Sequence, residues 1–575
     1  MKRIIATSAA VLALALGAGA QTMYDAMTFS QNNYYGTARS MAMGNAVTAV
    51  GGDLGMIGIN PAGSAVSSYG QLTITPGVTL SAVSSAYSAN GTSAYTSPEL
   101  TRHSRMNMPN IGFSLVCNTG SSSHLKSFTL AIVSNQTNNY SYNASAFGGN
   151  SYTSKMAELA QAATGYGEST LSSYSAFNNS DVPWDILAGY QGGMFGTYGR
   201  DGLYAAVSQQ IKYPAAGAAY AYVPGSIAQS SDVVKYGSKD DFIMNLGLNY
   251  DDRLYIGFNL GMPNASYRYS ETFYESAVNS DQFPIVYDDG YGGDLTTYFT
   301  GSRYNYQYVA NVKGIYAKIG AIYRAGENLR LGAAFQSPSM LTVSETWQYS
   351  TSTTFTDYEF DDSVSSPTGE YTYNLRTPYV FNVGAAYTFG SAGMLSVDYE
   401  LTDYSVMKFS DYGDYGYAGD GFYDLNLTNK NFAGVSHMLR VGGEYRLNPM
   451  FTLRAGYTMM TDPERYWTNS MGEDVTADDY LYDIDDYTSR KYNLVTAHYY
   501  DGRTRSFSLG AGYSSTGSFY ADIVVRCAMY PQSVFAPYYD YDAYDKDGNV
   551  LDVLSPRISN DRKLWNAAIT LGWRF

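Results

Sequence analysis

The stretch LWNAAITLGWRF, from Leu564 to Phe575, ends the chain and alternates in character. Its odd positions are apolar or aromatic throughout, whereas its even positions include Asn566 and Arg574. A strand with two such faces meets lipid with one of them and a polar lumen with the other. We therefore interpret the stretch as the last strand of a transmembrane β-barrel, with Trp573 and Phe575 in an aromatic girdle on the periplasmic side.

Similar alternating stretches, separated by turn residues, recur along the chain. No apolar run long enough for a membrane helix follows Ala20. The alternation predicts an all-β fold, an antiparallel barrel of about 14 strands. The predicted strands cover 71–84, 106–118, 126–140, 236–250, 253–272, 312–324, 328–350, 370–389, 394–408, 436–447, 450–461, 504–514, 519–530 and 563–575.

The connections between these strands alternate between long and short. This rhythm, with an even strand number, is what an outer-membrane barrel requires, because its periplasmic turns are short and its extracellular loops long. A closed barrel also satisfies every backbone group in lipid. The short connections are Thr119–Leu125, Asp251-Asp252, Ala325–Glu327, Gly390–Gly393, Asn448-Pro449 and Ser515–Ser518, and the long ones are 85–105, 141–235, 273–311, 351–369, 409–435, 462–503 and 531–562.

The first twenty residues have the features of a secretion signal. Lys2 and Arg3 give a charged start, Ile4 to Leu16 an apolar run, and Ala18-Gly19-Ala20 a small-residue cleavage site. The residue after that site is Gln21, which argues against a lipoprotein anchor. We therefore predict export and insertion into the outer membrane of a Gram-negative bacterium, with 1–20 removed.

The composition supports a barrel and excludes one class of partner. Tyrosine occurs 59 times and glycine 57 times, which suits half-exposed strands and long ordered loops. The formal net charge is −16, so we expect no nucleic-acid partner, because phosphate binding needs a basic footprint.

The stretch from Gly36 to Ala65, GTARSMAMGNAVTAVGGDLGMIGINPAGSA, fits neither a strand nor a polar linker. It holds seven glycines and three methionines but never settles into alternation. We predict an N-terminal hatch over 21–70 that enters the lumen from the periplasmic side, followed by the barrel over 71–575. Irregular backbone is tolerated there because protein surrounds it. The apolar hatch residues contact either the barrel or a hydrophobic ligand, and the candidates are Met41, Met43, Met56, Ile57 and Ile59.

The sequence offers little for catalysis or metal binding. The four histidines, at 103, 124, 437 and 498, lack the spacing of metal ligands or of a catalytic pair. Asp545-Lys546-Asp547-Gly548-Asn549 resembles part of a calcium loop but lacks its distal glutamate, which favours a solvated turn. Cys117 and Cys527 are interpreted as small packed or lipid-facing residues, with a disulfide as the alternative. We expect no enzyme, no cofactor and no metal.

Three segments of the hatch resemble a known family. They are Ala38–Ala46 (ARSMAMGNA), Gly51-Gly52-Asp53 and Asn60–Gly63 (NPAG). Together they resemble the hatch of the long-chain fatty acid transporter (FadL/TodX-type) outer-membrane family. The tyrosine-rich, acidic loops resemble those of its Bacteroidota members.

The resemblance implies a fourteen-stranded barrel that passes hydrophobic molecules to an internal pocket. It further implies that a hatch movement opens a path to a lateral gap at a kinked third strand. Strand 3 holds no proline or glycine to mark a kink, although Ser134-Asn135-Gln136 interrupts its alternation and is the portal candidate. The hatch or gate residues implied by the motif are Arg39, Gly44, Asn60, Pro61, Ala62 and Gly63.

We predict passive uptake of hydrophobic small molecules such as long-chain fatty acids, by a monomer. Its expected partners are the hydrophobic ligand, outer-membrane lipid and lipopolysaccharide, and the barrel-assembly machinery, which would read Trp573 and Phe575 as its signal. Three alternatives stay open: an adhesion or structural barrel whose loops bind a protein or glycan, hemin binding, and a barrel-embedded lipase.

Overall fold

A computed structural model of the chain describes residues 21–90, 94–120, 123–198, 200–214, 218–288, 294–413, 421–477, 480, 494–551 and 555–575. The predicted signal peptide, 1–20, lies outside these residues. Fourteen antiparallel strands form a closed ring, because the first strand pairs with both the second and the last. The predicted fold class and strand number are confirmed.

Each observed strand contains or overlaps one predicted strand, and five of them are interrupted. β1 spans Gln71–Ser88, β2 Glu99–Asn118, β3 Leu125–Asn139 with Tyr142–Asn150, β4 Ile227–Tyr250, β5 Leu254–Ala277, β6 Asp294–Arg324, β7 Leu329–Gln336 with Met340–Phe355, β8 Gly369–Arg376 with Val380–Thr388, β9 Gly393–Asp403 with Lys408–Asp411, β10 Val435–Arg446, β11 Phe451–Thr461, β12 Arg503–Ser514, β13 Phe519–Met529 with Ser533–Phe535, and β14 Arg557–Arg574.

Several strands extend further outward than predicted. β6 begins at Asp294 instead of 312, and β4 at Ile227 instead of 236. The segment added to β6 is rich in tyrosine and threonine, and the segment added to β4 holds the polar run Gln229–Asp232, so neither keeps an apolar face opposite a polar one. Backbone pairing continues there without the alternation that marks a strand in lipid.

The short connections lie together at one end of the barrel, the end that we identify as periplasmic. Gly70 and Phe575 exchange backbone hydrogen bonds of 3.0 and 3.1 Å at this end, so the chain enters and leaves the wall side by side. Asp251 and Asp252 both have φ near +54°, the geometry of a type I′ hairpin turn.

The outer surface of the wall carries an apolar band. Phe507, Leu509, Ile523, Val525 and Ile569 are 40–68% exposed there, and similar residues continue around the barrel. Water-soluble proteins rarely expose contiguous apolar patches of this extent, whereas a membrane barrel needs such a band. The chain is therefore a transmembrane barrel of the outer-membrane type. Among the described residues, no helix is long and apolar enough to cross a membrane.

The long connections fold over the outer mouth of the barrel. Within their described residues they contribute five helices. Burial raises the pKa of the Glu158 carboxyl in the helix Lys155–Ala162, and the ammonium of Lys155, 2.8 Å away, opposes the rise. The loop helices are Lys155–Ala162, Glu168–Leu171, Ala176–Asn179, Trp184–Gln191 and Tyr423–Phe432.

The N-terminal segment occupies the lumen. It contains helices α1 (Met23–Ser30) and α2 (Ala38–Ala42), then 3-10 turns at Leu54–Met56 and Pro61–Val66. Helix α1 packs in the same hydrophobic cluster as the loop helices, and Tyr24 donates to Glu464 of an outer loop at 2.7 Å. The segment therefore runs from the outer side of the lumen down to the periplasmic rim.

Candidate functional site

Side-chain caps shape the hatch locally. The Thr37 hydroxyl accepts from the Ser40 N–H at the start of α2, and the Asp53 carboxylate accepts from the Gly55 N–H at the first 3-10 turn. Thr37 also donates to Asp53 at 2.6 Å, which ties the two caps together. Each cap satisfies backbone donors that have no partner inside so short a helix.

Asn60 caps the second 3-10 turn and also joins the hatch to the wall. Its side-chain oxygen accepts from the Ala62 N–H at 3.0 Å. Its amide donates to the Thr48 carbonyl at 2.6 Å and to the Ala321 carbonyl of β6 at 3.1 Å. Asn60 is 1% exposed. Its buried side-chain amide therefore joins the 3-10 turn, the Thr48 carbonyl and strand β6 through three hydrogen bonds.

Glycines in the strands let the hatch approach the wall closely. At nine of these glycines, each on a different strand, an added Cβ would lie within 3.1 Å of a hatch atom. At Gly384 it would also lie that close to Asp398, the wall residue that binds Thr48. The hatch backbone therefore rests where only glycine leaves room. We call this set the glycine seat, and its members are Gly112, Gly247, Gly257, Gly320, Gly332, Gly384, Gly442, Gly456 and Gly510.

The predicted gate residues contact the glycine seat. Gly257 and Gly320 face Pro61, Ala62 and Asn60, and Gly456 lies against Gly44. Gly44 has φ +61°, a conformation that favours glycine. Gly63 accepts a backbone hydrogen bond from Gly52 at 2.8 Å, inside the hatch. The structure thus brings Gly44 and the NPAG motif against the wall.

Arg39 belongs to a buried ionic network between hatch and wall. Its Nε lies 3.0 Å from Glu444 of β10, and the Nε of Arg454 on β11 lies 2.8 Å from the same oxygen. Arg454 also binds Asp522 of β13 at 2.5 Å. Arg39 and Arg454 share the Glu444 carboxylate, so the network connects the hatch to β10 and β11 and, through Arg454, to β13.

Wall cations also bind hatch carbonyls. Lys318 donates to Gly58 at 2.7 Å, Arg330 to Val50 at 2.9 Å, and Lys239 to Phe29 at 2.8 Å. Arg526 donates to Asn33 and Tyr34 at 3.1 Å each. These bonds satisfy carbonyls of irregular backbone, which burial would otherwise penalise.

The five candidate ligand contacts are buried in this structure. Met43, Met56 and Ile59 pack with Ala386 of β8, Met41 with Val524 and Ala568, and Ile57 with Ala131, Val133 and Ile243. Their exposure is 0–1%. In this closed arrangement they hold the hatch to the wall, and their contact with a ligand stays a prediction.

The backbone pairing between β2 and β3 ends partway along the two strands. Pairing of β2 with β3 runs from Asn118↔Ser127 to Asn110↔Asn135 and stops there. Farther out, β2 pairs only with β1, and β3 only with β4, with a register shift between Gln136 and Asn138. We call this interruption the wall opening. It lies at the portal candidate Ser134-Asn135-Gln136.

The hatch lies against the inner side of the wall opening. The N–H groups of Asn33 and Tyr35 donate to the carbonyls of Thr137 and Gln136 at 2.7 and 3.0 Å. Residues 135–141 are all buried, so this part of β3 is covered on both faces. This segment pairs with β4 along one edge and accepts hydrogen bonds from the hatch at Gln136 and Thr137.

Two hydrogen bonds between side-chain amides bridge the wall opening. Asn107 of β2 donates to Gln136 at 2.7 Å, and Asn110 donates to Asn135 at 2.7 Å. Side chains therefore join β2 to β3 where the backbone hydrogen bonds between these strands end.

Prolines next to the wall opening were missed as a signal. Pro109 in β2 has no N–H to give to a ladder, and Pro76 in β1 sits in the register shift between Thr75 and Gly77. The proline that accompanies the interruption is therefore Pro109 of the neighbouring strand β2, and strand 3 itself holds none.

Aromatic rings line the outer part of the lumen around helix α1 of the hatch. Phe29 of α1 packs edge-on against Tyr267 at 6.1 Å, and Tyr140 against the same ring at 5.1 Å. Tyr306 and Tyr349 continue this lining at 4.8 Å. Two cavities at the boundary of hatch and wall measure about 20 and 10 Å³, room for about one water each. Neither of these two cavities has room for a hydrophobic ligand larger than a water.

The remaining candidates lie apart from the hatch. His124 binds Asp251 at a periplasmic turn, and His437 contacts Tyr399 on the lipid side. His103 lies in β2 and His498 in an outer-loop strand. Asp545 accepts the N–H groups of residues 547 and 549 within its own turn.

The cysteines and the terminal aromatic residues lie in the wall. Cys117 and Cys527 are free thiols, on β2 and β13. Trp573 packs against Phe519, and Phe575 stacks on Phe113 at 5.7 Å, both at the periplasmic end. Their role as an assembly signal stays a prediction.

No known family pattern matches the sequence, and no curated protein matches it. Among solved structures it is similar to a FadL homologue of Pseudomonas aeruginosa, with 10% identity, a TM-score of 0.48, and coverage of 95% of this chain and 100% of that one. It is also similar to the toluene transporter TodX of P. putida, with 11% identity, a TM-score of 0.42, and coverage of 95% of this chain and 99% of that one. The toluene transporter TbuX of Ralstonia pickettii shares 13% identity with a TM-score of 0.40, and 94% of this chain and 99% of that one are covered.

Proposed function

We propose that this barrel takes up hydrophobic small molecules passively and releases them sideways into the membrane through the wall opening. The observation that carries the proposal is the separation of β2 from β3, with the hatch bonded across its inner side at Gln136 and Thr137. Long-chain fatty acids are a cargo of the proposed class. We also propose that outer-membrane lipid and lipopolysaccharide contact the barrel, that the barrel-assembly machinery inserts it, and that it works as a monomer.

Sideways release suits an apolar cargo for an energetic reason. Each CH₂ group costs about 0.8 kcal/mol in water, so a long chain that passes straight into lipid avoids more than about 10 kcal/mol. A polar solute has no such reason to leave through the wall. A hatch that fills the lumen and a wall opening beside it therefore favour hydrophobic cargo over a porin-like role.

A reversible crosslink across the wall opening tests the route. In a chain carrying Cys117→Ser and Cys527→Ser, we replace Asn107 and Gln136 by cysteine, because their side chains already touch across the opening. We expect oxidation to lower the uptake of a fluorescent long-chain fatty acid by cells roughly tenfold, and reduction to restore it.

The matched control is a crosslink in a fully paired part of the wall. Thr79 of β1 donates to Asn566 of β14 at 2.8 Å, and the two residues are direct register partners. A disulfide at these positions should leave uptake unchanged. Uptake that is equally fast with the Asn107–Gln136 disulfide formed would contradict lateral release.

Asn60 should matter for hatch movement more than for assembly. Asn60→Ala removes the cap of the 3-10 turn and the bonds to Thr48 and Ala321. A lost cap costs about 1 kcal/mol and a buried unpaired carbonyl about as much again, too little to unfold a closed barrel. We expect impaired uptake with normal heat-modifiable mobility on gels. A variant that fails to assemble would make the motif a folding element instead of a gate.

A further inference from the structure

Part of the longest outer loop folds into a small unit of its own at the mouth of the barrel. The helices Lys155–Ala162 and Trp184–Gln191 pack against each other at Gly189, where an added Cβ would lie 3.0 Å from the buried side chain of Leu159. We call residues 151–198 the outer lid. A unit that has its own packed core can move as one body.

One wall carboxylate holds the outer lid at the start of its first helix. Glu275, near the outer end of β5, accepts from the Ser154 hydroxyl at 2.9 Å. It also accepts from the N–H groups of Lys155 and Met156 at 3.1 and 3.3 Å. These two N–H groups belong to the first turn and have no partner inside the helix. Glu275 is 2% exposed, and the helix dipole favours a carboxylate in this place.

Two further parts of the barrel bind the outer lid. The Ser154 N–H donates to the hydroxyl of Tyr541, in the loop between β13 and β14, at 2.9 Å. Thr351 of β7 donates to the Ala188 carbonyl of the second lid helix at 2.5 Å. The polar contacts of the lid therefore come from β5, from β7 and from the last loop.

The outer lid packs on aromatic rings of the wall. Trp184 lies 5.9 Å from Trp347 of β7, and the Lys155 ammonium lies 5.1 Å from the ring centre of Tyr304 on β6. The lid helices and helix α1 of the hatch belong to one hydrophobic cluster with these strands. Displacement of the lid would expose the rings as an apolar surface for a molecule that arrives from outside.

We propose that the outer lid is the entry gate of the barrel and that Glu275 is its latch. The inference rests on the proposed uptake, and it assigns entry and exit to different elements, the lid at the mouth and the wall opening at the side. Polar bonds suit a latch, because water can replace them when the lid lifts. A closing loop that controls access to a buried site is a common device.

Hydrogen exchange of the purified barrel tests the latch. Glu275→Ala leaves three lid donors without their acceptor, so we expect the amides of 155–162 to exchange at least roughly tenfold faster, with the hatch amides of 38–66 unchanged. Glu275→Gln keeps the size of the side chain and should give a smaller rise. The control is Glu271→Ala, which removes a buried carboxylate from the same face of β5, where it accepts from Tyr269 of the wall. It should leave lid exchange unchanged.

The rate of ligand entry tests the gate. When the Asn107–Gln136 disulfide closes the wall opening, a fluorescent long-chain fatty acid is left with the outer mouth as its entry. In that background we expect stopped-flow binding to be roughly tenfold faster with Glu275→Ala and unchanged with Glu271→Ala.

Three outcomes of these measurements are decisive. Unchanged lid exchange in Glu275→Ala, or equal effects of the Glu275 and Glu271 variants, would overturn the latch. Faster lid exchange without faster entry would overturn the gate. A barrel that binds no fatty acid in any variant contradicts the proposed uptake instead, and lid exchange then decides the latch alone. Heat-modifiable mobility of each variant shows whether it has folded.

Discussion

Gly442→Val is expected to turn the closed barrel into a leaking pore. A Cβ at Gly442 would lie 2.2 Å from the Met43 carbonyl oxygen and 3.0 Å from its carbon, both backbone atoms of the hatch. Backbone cannot yield as a flexible side chain does, so the hatch must leave its place. A large barrel without its plug is a water-filled channel. We expect planar-bilayer conductance to rise roughly tenfold or more over the unchanged protein.

The next residue in the strand provides the matched control. Gly443 faces the membrane, and a Cβ there would meet nothing closer than 3.9 Å. Gly443→Val thus makes the same chemical change in the same strand, with the same gain in strand propensity. It should leave conductance at the level of the unchanged barrel. If both variants conduct alike, the glycine seat does not hold the hatch. If only Gly442→Val fails to fold, Gly456→Ala, beside Gly44, gives a smaller change on the neighbouring strand.

The barrel could be predicted because lipid imposes a strict pattern on each strand. Within the apolar band every second residue must be apolar, and the sequence shows this clearly in β14 and β12. Above the band that requirement ends. β6 therefore extends eighteen residues farther out than its alternation indicates, from 312 to Asp294. Pairing there depends on backbone bonds, which leave little trace in side-chain pattern.

The hatch could be located, but not its contacts. The NPAG motif pointed to Asn60, which the structure finds bonded to Thr48 and to β6. Gly442 faces the hatch and Gly443 the lipid, but two adjacent glycines carry no hydropathy signal of their own. A strand register counted from Leu439 and Val441, which are apolar and face outward, would have separated them.

The ion pairs between hatch and wall could not be predicted from the sequence either. Arg39 was a candidate only because it lies in the hatch, and Glu444 is more than four hundred residues away in sequence. Each is an ordinary charged residue within its own segment. Only closure of the ring brings β10, β11 and β13 around the hatch and so assembles the network.

Glu444→Gln should release the hatch from the wall on the periplasmic side. Glu444 is 3% exposed and holds both Arg39 and Arg454 through one oxygen. A neutral amide removes the charge that Arg39, whose side chain is 19% exposed, shares with the buried Arg454. Removing one member of a buried ion pair costs about 3–5 kcal/mol, which corresponds to roughly a hundredfold or greater rise in the open fraction of the hatch. Hydrogen exchange of the hatch amides should accelerate accordingly, while exchange in the strands stays slow.

An exposed ion pair supplies the comparison for Glu444. Arg557 and Asp540 lie 3.2 Å apart, and the aspartate side chain is 43% exposed. A surface pair contributes at most about 1 kcal/mol, so Asp540→Asn should leave hatch exchange unchanged. Faster exchange throughout the strands of Glu444→Gln would show that the carboxylate stabilises the wall itself. Faster exchange confined to the hatch identifies Glu444 as a residue that fastens the plug, because it binds one cation on each side of the hatch–wall boundary.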